Sequence, residues 1–238
     1  MSKNIFCIQK SYANSSEARA IISAKQLTDN IEYYFSNENN LDLIDRSHIP
    51  VGSVEFCRMV ADVNSIELDT VSDYPFELAF ILGRKVRKTT AKDVKYGEWC
   101  KPFKTKEFPV QMAASFVVDK NGAEIDPDTP CWASTVVEFT SEWRCYIIKG
   151  KIKGIAQYDS GPDDELTSFE IIKLESLIDE WKMAPAAYAM DVGRITTSNE
   201  VTLVEVNDAW GIGYYSDGTL TQRDYADWLA IRWNELTQ

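Results

Sequence analysis

Residues 201–215 read VTLVEVNDAWGIGYY. As a strand, this run puts Val204 and Val206 on one side and Glu205 and Asn207 on the other, because side chains alternate. Two oxygen-bearing side chains on one rigid face can hold a hard divalent cation. They can equally point into water. A second strand-like run, AAYAMDVGRI (186–195), carries Asp191 and is joined to the first by the turn TTSNE. A hairpin of this length can bring Asp191, Glu205 and Asn207 onto one face. Two carboxylates and an amide oxygen, completed by water and phosphate oxygens, suit Mg²⁺. The spacing alone leaves the metal site and the solvated face both open.

The rest of the chain narrows the choice. Its 238 residues suffice for one large domain or two small ones with proper cores. With 45% hydrophobic residues, seven Trp, eleven Tyr and ten Phe, the composition is that of a folded protein. A net charge of −12 argues against a nucleic-acid partner held through the general surface. Positive charge is concentrated in RKVRK (84–88) and in Lys92, Lys95, Lys101, Lys104 and Lys106. The five cysteines are widely spaced, with no C-x-x-C, which predicts reduced buried thiols and a cytoplasmic setting. No apolar run long enough to span a membrane is present, and the start MSKNIFCIQK is too short and polar for a signal peptide. His48 is the only histidine, so a multi-histidine metal site is excluded and any metal must rest on oxygen ligands.

Along the chain, residues 3–10 predict a strand, and SSEARAIISAKQLTDNIEYYF (15–35) a helix capped by Ser15 or Ser16. IPVGSVEFCRMV (49–60) predicts a strand and turn leading into a helix. From residue 98 short β runs dominate: EWCKPF, VQMAASFVV, CWASTVVEF, WRCYIIKG and KIKGIAQYD, with a KGK hairpin turn at Gly150. SFEIIKLESLIDEWK has helical period, with Ile171, Leu174, Leu177, Ile178 and Trp181 on one face. DYADWLAIRWNELTQ predicts a closing helix. The order predicts an α+β protein with more than one lobe and a soft boundary near residues 73–83.

Two further segments bear on chemistry. In WCKPFKTKEFPV (99–110), Lys101 sits where a strand stops, and Lys104 and Lys106 follow in a loop. That is either a polyphosphate clamp or a solvated basic loop. In VVEFTSEWRCYII (136–148), a break at Thr140–Ser141 would free backbone groups for an adenine edge. A nearby carboxylate can take ribose hydroxyls, and Arg144 can meet phosphate or an acidic neighbour across the sheet. No P-loop is present, nor the kinase H-R-D and D-F-G pairs.

The segments IPVGSVEF, WCKPFKTKEF, VVEFTSEWRCYIIKGKIKGIAQY, AAYAMDVG and LVEVNDAWGIGYY, in this order, resemble the ATP-grasp proteins. They are most similar to the small phage and bacterial clade named for one arginine and two lysines. The resemblance implies an ATP-grasp fold, two α+β lobes clasping ATP (81–238, hinge near 136–142) after a small N-terminal α/β subdomain (1–80). It implies Lys101 and Lys106 as phosphate lysines, with Lys104 competing for the second role, and Arg144 and Lys106 as the catalytic pair. Val137, Glu138 and Phe139 would form the adenine hinge, Glu142 would reach ribose, and Asp191, Glu205 and Asn207 would hold Mg²⁺. The implied reaction joins a small-molecule or peptide carboxylate to an amine at the expense of ATP. Two departures stand out: DAWGIG follows Asn207 instead of T-x-P-G, and Met190 replaces the arginine often found before the strand Asp. The altered loop after Asn207 brings in a second reading, an ATP-binding regulatory or interaction protein without turnover.

Overall fold

The computed structural model describes residues 3–238 except 69, 105, 106 and 115. Three sheets organise them. The first is parallel, in the order β2-β1-β3, from β1 (Asn4–Gln9), β2 (Ile31–Ser36) and β3 (Ile49–Val51). Helix α1 (Ser16–Leu27) crosses from β1 to β2, and α2 (Val54–Val63) follows β3. Ser15 and Ser53 cap these helices by accepting the Ala18 and Phe56 N–H groups. The helix expected through Phe35 stops at Leu27. Residues 31–36 pair in register with all of β1, from Asn4↔Ile31 to Gln9↔Ser36. IEYYF is rich in β-branched and aromatic residues, and the open edge of β1 decides its conformation.

The second sheet is antiparallel, in the order β4-β7-β5-β6: β4 (Val86–Thr90), β5 (Trp99–Pro102), β6 (Gln111–Met112) and β7 (Pro130–Ser134). It forms a small lobe with its own core of Ala91, Cys100, Phe108, Val117 and Cys131. The strand expected over 110–118 shrinks to two residues. The Gln111 side chain donates to the Val118 carbonyl (2.8 Å) and accepts its N–H (3.1 Å), folding the continuation back on itself.

The third sheet runs β11-β10-β8-β9, from β8 (Phe139–Ile148), β9 (Lys151–Gln157), β10 (Ala187–Ile195) and β11 (Val201–Asp208), all antiparallel. Lys149 and Gly150 turn β8 into β9 with φ of 48° and 73°, the hairpin turn expected there. The break expected at Thr140–Ser141 is a one-residue irregularity: the β8–β10 register jumps from Ser141↔Arg194 to Phe139↔Ile195, leaving Thr140 extra. Ser141 and Phe139 both join the ladder with β10, and the Thr140 hydroxyl donates to the Arg194 carbonyl. The irregular link between the lobes is residues 135–138.

Alternation, interrupted where the register shifts, gives this sheet two faces. Trp143, Cys145, Ile147, Tyr188, Met190, Val192, Leu203 and Val206 face α3 (Ser168–Glu180), which supplies Leu174, Leu177 and Ile178. Tyr146, Ile148, Ala187 and Ala189 face the other way, into a core shared with the first sheet, α1 and the final helix α4 (Gln222–Leu236). Trp228 and Trp233 anchor α4 there, with indole N–H groups donating to the Tyr188 and Arg46 carbonyls. The boundary expected at residue 80 falls in the 3-10 segment Phe76–Ile81. All five cysteines are buried and unpaired in disulfides. Among the described residues, no helix is long and apolar enough to cross a membrane.

Helix α3 yields a stability prediction. Thr167 and Glu170 form a reciprocal capping box, and Glu170 also receives Arg194 at 2.7 Å. Burial works to raise the Glu170 pKa, but Arg194 and Thr167 more than offset it and hold the carboxyl below its ordinary range. A depressed folded pKa means stabilisation that is present above the unfolded value near 4.5 and lost as pH falls through the folded one. Glu170→Gln is expected to lower urea-unfolding stability by about 1–2 kcal/mol at pH 7. The difference from wild type should vanish below that folded pKa.

Candidate active site

Three neighbouring strands place a row of charges on the α4-facing side of the third sheet, at its small-lobe end. Arg144 on β8 lies opposite Asp191 on β10, which lies opposite Glu205 on β11. The Arg144 guanidinium donates through Nε to Asp191 Oδ1 (2.9 Å) and through a terminal nitrogen to Oδ2 (2.7 Å). Burial works against the Arg144 charge, and the Asp191 carboxylate more than offsets it, so its pKa is raised. Tyr158 and Tyr215, stacked on each other, lie 5.6 and 5.3 Å from the guanidinium. The Asn207 amide donates to Asp191 Oδ2 (3.0 Å) and Glu205 Oε1 (2.9 Å), drawing the two carboxylates together.

The opening strand departs from simple alternation. The β10–β11 register jumps from Asp191↔Glu205 to Val192↔Leu203, leaving Val204 as an extra residue. Leu203 and Val206 therefore face the α3 core, while Val204 and Glu205 both line the cleft. Arg84, at the entrance to the small lobe, donates to the Leu203 and Val204 carbonyls (2.7 and 2.6 Å) and so holds this irregular stretch. Arg84→Met is expected to weaken ATP binding about tenfold and stability by about 1–3 kcal/mol, read by calorimetric titration and urea unfolding. Unchanged ATP affinity would show that Arg84 does not position the cleft.

Lys101 reaches across from β5. Its ammonium contacts Glu205 Oε2 and sits 2.7 Å from Asp73 Oδ2. Burial alone would lower its pKa; Glu205 and Asp73 prevail and raise it. In turn Lys101 holds Glu205 below the ordinary carboxylate range, against the pull of burial. Glu142, opposite Gly193, is pushed up by burial, which the donated Tyr158 hydroxyl (2.8 Å) only partly offsets.

Arg84, Lys101, Glu142, Val204 and Glu205 border a cavity of about 350 Å³ between the lobes, with Val137 from the link, Phe139 from β8, and Trp99, Trp132 and Tyr74; Arg144, Asp191 and Asn207 do not line it. Glu138 stands apart: its side chain is exposed, and its carbonyl accepts the Thr196 N–H (2.9 Å) and hydroxyl (3.0 Å). Lys104 is exposed on a turn outside the cavity wall. Lys106 lies outside the described residues.

Sequence reasoning missed Asp73, Tyr74, Trp132 and the role of Arg84. For Trp132 a signal existed. The register pairs Lys101 with Trp132 and Trp99 with Ser134, so period two on β5 and β7 puts all four on the cleft side. Asp73 and Tyr74 belong to an irregular segment, where no period applies.

The donor set fits a hard cation. Carboxylates and an amide are the groups Mg²⁺ takes, using one or two carboxylates and completing its shell with water and phosphate. Among the described residues, no three His, Cys, Asp or Glu side chains form a ready-made metal cage. A cation here would rest on Glu205, Asp191 and Asn207 with ligand oxygens.

Family comparison bears on the same region of the chain. The model of an ATP-grasp domain, family 2 of the clade named for one arginine and two lysines, matches residues 81–227, more than half of the chain. The chain belongs to this clade of ATP-grasp domains. The fold of this ATP-grasp protein is also similar to the RimK domain protein ATP-grasp from Sphaerobacter thermophilus (TM-score 0.57, 15% identity, 94% of this chain and 99% of that one). It is similar to D-alanine–D-alanine ligase from Bacillus anthracis complexed with ATP (0.57, 13%, 99% of both chains). A third neighbour is N5-carboxyaminoimidazole synthetase from Staphylococcus aureus (0.56, 7%, 98% of this chain and 80% of that one). At these identities the likeness establishes the fold alone. No curated protein matches the sequence. Membership places this ATP-grasp domain in a superfamily of ATP-dependent ligases, and the reaction must be argued from its own cleft.

Proposed function

We propose that the protein is an ATP- and Mg²⁺-dependent, ADP-forming ligase that joins a carboxylate to an amine through an acylphosphate. One observation carries this reading. Lys101 and Glu205 line an inter-lobe cavity bordered by Trp99, Trp132, Tyr74, Val137 and Phe139, and Arg144, Asp191 and Asn207 are tied to Glu205 through one hydrogen-bonded network.

Adenine would lie between Val137, Phe139 and the Trp99 and Trp132 side. The Glu138 carbonyl is committed to Thr196, so hydrogen bonds to the base would come from other groups of the link. Glu142, steadied by Tyr158, would take the ribose hydroxyls. Lys101 would leave Glu205 for the phosphates, and the family resemblance puts a second phosphate lysine at Lys106. Asp191, Glu205 and Asn207 would hold Mg²⁺, which neutralises phosphate charge.

A substrate carboxylate would then attack the γ-phosphorus, expelling ADP. An amine would attack the resulting acylphosphate and release phosphate. Arg144, kept charged by Asp191 and flanked by two tyrosine rings, would stabilise the developing anion. Both steps need positioning and charge neutralisation, and neither needs a side-chain nucleophile. His48 fits this account, since it bonds Tyr34 in the first sheet (2.9 Å) and lies on the rim of no described cavity. Relatives in structure act on small substrates, as in D-alanine–D-alanine ligase, or on peptides, as in the PsnB ligase bound to its precursor (TM-score 0.51, 12% identity). Both classes of carboxylate and amine enter the test.

One observation favours the second reading, a nucleotide-binding regulator without turnover. Asp191 already holds the Nε and one Nη donor of Arg144, so a ligand anion would meet only the other Nη unless that pair is broken. The experiment mixes protein, ATP and Mg²⁺ with pools of amino acids, small carboxylates and peptides and follows ADP and phosphate. Substrate-stimulated release that disappears in Glu205→Gln supports the ligase; tight ATP binding with no stimulation by any pool supports the regulator.

A further inference from the structure

A second cavity is larger than the cleft that holds Lys101 and Glu205. It has a volume of about 650 Å³ and lies on the far side of a wall formed by Tyr74 and Trp132, which line both spaces. The two rings meet edge to face, with centroids 5.0 Å apart. The volume is that of a small-molecule site. Its lining is mixed: Val71, Val86, Trp181, Ala184 and Pro185 give it an apolar wall beside polar and charged side chains. Phe76 and Met183 stand at its border, 88% and 84% exposed, which is unusual for side chains so apolar.

The charges of this cavity are unequal in an informative way. Arg232 is fully engaged, by Asp208, Glu235 and the Thr70 hydroxyl. Glu235 in turn takes Arg232 and the Ala186 N–H. Glu77 is exposed on the 3-10 segment. Lys88 differs from all of these. Its ammonium lies 5.1 Å from the Trp132 ring centre and 5.4 Å from that of Phe103, and among the described residues no carboxylate comes within ion-pairing distance. Two aromatic faces hold the cation in place at the wall, so a ligand anion need not order it first.

We propose that this cavity is a second ligand site, for a small carboxylate with an aromatic or branched aliphatic body. The carboxylate would pair with Lys88, and the body would cover Phe76, Met183 and the apolar wall. The proposal goes beyond the ligase reading and is independent of it, because the Tyr74–Trp132 wall separates the site from Lys101 and its row of charges.

The test uses the full chain, with 3-phenylpropionate as probe and its neutral amide, 3-phenylpropanamide, as control. Titrations are followed by the indole N–H resonances of Trp132 and Trp181. The acid is expected to bind with a Kd below about 1 mM and the amide about tenfold more weakly, the difference that one charge-assisted contact provides. Lys88→Met should remove the preference for the acid, and Lys88→Glu should reverse it, with ATP affinity unchanged in both. Lys88 is exposed on β4, so neither change threatens the core. Equal binding of acid and amide overturns the proposal, as does acid binding that survives in Lys88→Glu. So does a lack of binding up to about 10 mM, or binding abolished by Lys101→Met, which would place the probe in the nucleotide cleft.

Discussion

Lys101→Met is expected to abolish saturable ATP binding and to lower stability by about 3 kcal/mol at pH 7, a loss that Mg²⁺ partly restores. The argument is electrostatic. Asp73 and Glu205 come from different parts of the chain, both are largely buried, and the Lys101 ammonium between them is their shared counter-charge. Breaking a buried pair by removing one partner typically costs about 3–5 kcal/mol, because the charge left behind is desolvated and uncompensated. Partial exposure of the three groups places the expected loss at the lower end. With the lysine gone, Mg²⁺ has a carboxylate site free of its internal competitor, and binding to the folded state alone stabilises it by mass action. Urea unfolding with and without about 10 mM Mg²⁺ reads both effects. Equal stability of wild type and variant would mean that Lys101 does not hold the carboxylates together. A variant that Mg²⁺ leaves unimproved would mean that Glu205 is no metal ligand.

The second large effect is at Arg144. Arg144→Met is expected to cost about 3–5 kcal/mol, since it leaves Asp191, with 1% of its surface exposed, as an unpaired buried carboxylate. Adding Asp191→Leu should recover most of that stability, because an apolar pair of similar volume replaces a buried ion pair at little cost. ATP turnover should stay absent in both proteins. Urea unfolding of the two variants beside wild type checks the first part, and phosphate release under the conditions that activate wild type checks the second. A single-variant loss below about 1 kcal/mol would contradict the burial argument.

The two pairs also show what the sequence made legible. Asp191, Glu205 and Asn207 were within reach because they belong to one hairpin, and the period-two pattern carries across a short turn. Arg144 was identified, but its partner was not, since the β8–β10 pairing joins residues 47 positions apart and no local pattern states which strands become neighbours. The segment 31–36 failed for the same reason: its conformation is set by an open strand edge elsewhere. Val204 was assigned to the wrong face because a bulge is a property of two strands, and the sequence of one does not reveal it. The small lobe was legible as strands but not in its loops. There a single glutamine side chain, Gln111, replaced strand pairing with bonds to its own neighbourhood.

The glycines of DAWGIG also have a physical role. Gly211 adopts φ of 59°, and a Cβ there would crowd the Val54 backbone at 3.3 Å, while Trp210 packs with Val54 and Cys57. Gly213 and Tyr214 adjoin Glu17, whose carboxylate accepts the Tyr214 N–H at 3.2 Å. The loop thus seats the charged row against the first two helices.

The shared core of α1, the first sheet and α4 has a consequence for how the molecule is made. Strands β1–β3 emerge from the ribosome well before Trp228, Leu229 and Trp233, which cover them and come close to 200 residues later. At about 5–20 residues per second, that apolar face waits on the order of 10–40 s for its cover. During that interval the nascent chain offers a sticky surface to chaperones and to its neighbours. Final folding is then slow and late, governed by contacts between segments far apart in the sequence. Shortening α4 by a single turn at Trp233 would therefore reduce the yield of soluble protein in cells more than its effect on the finished protein's stability suggests.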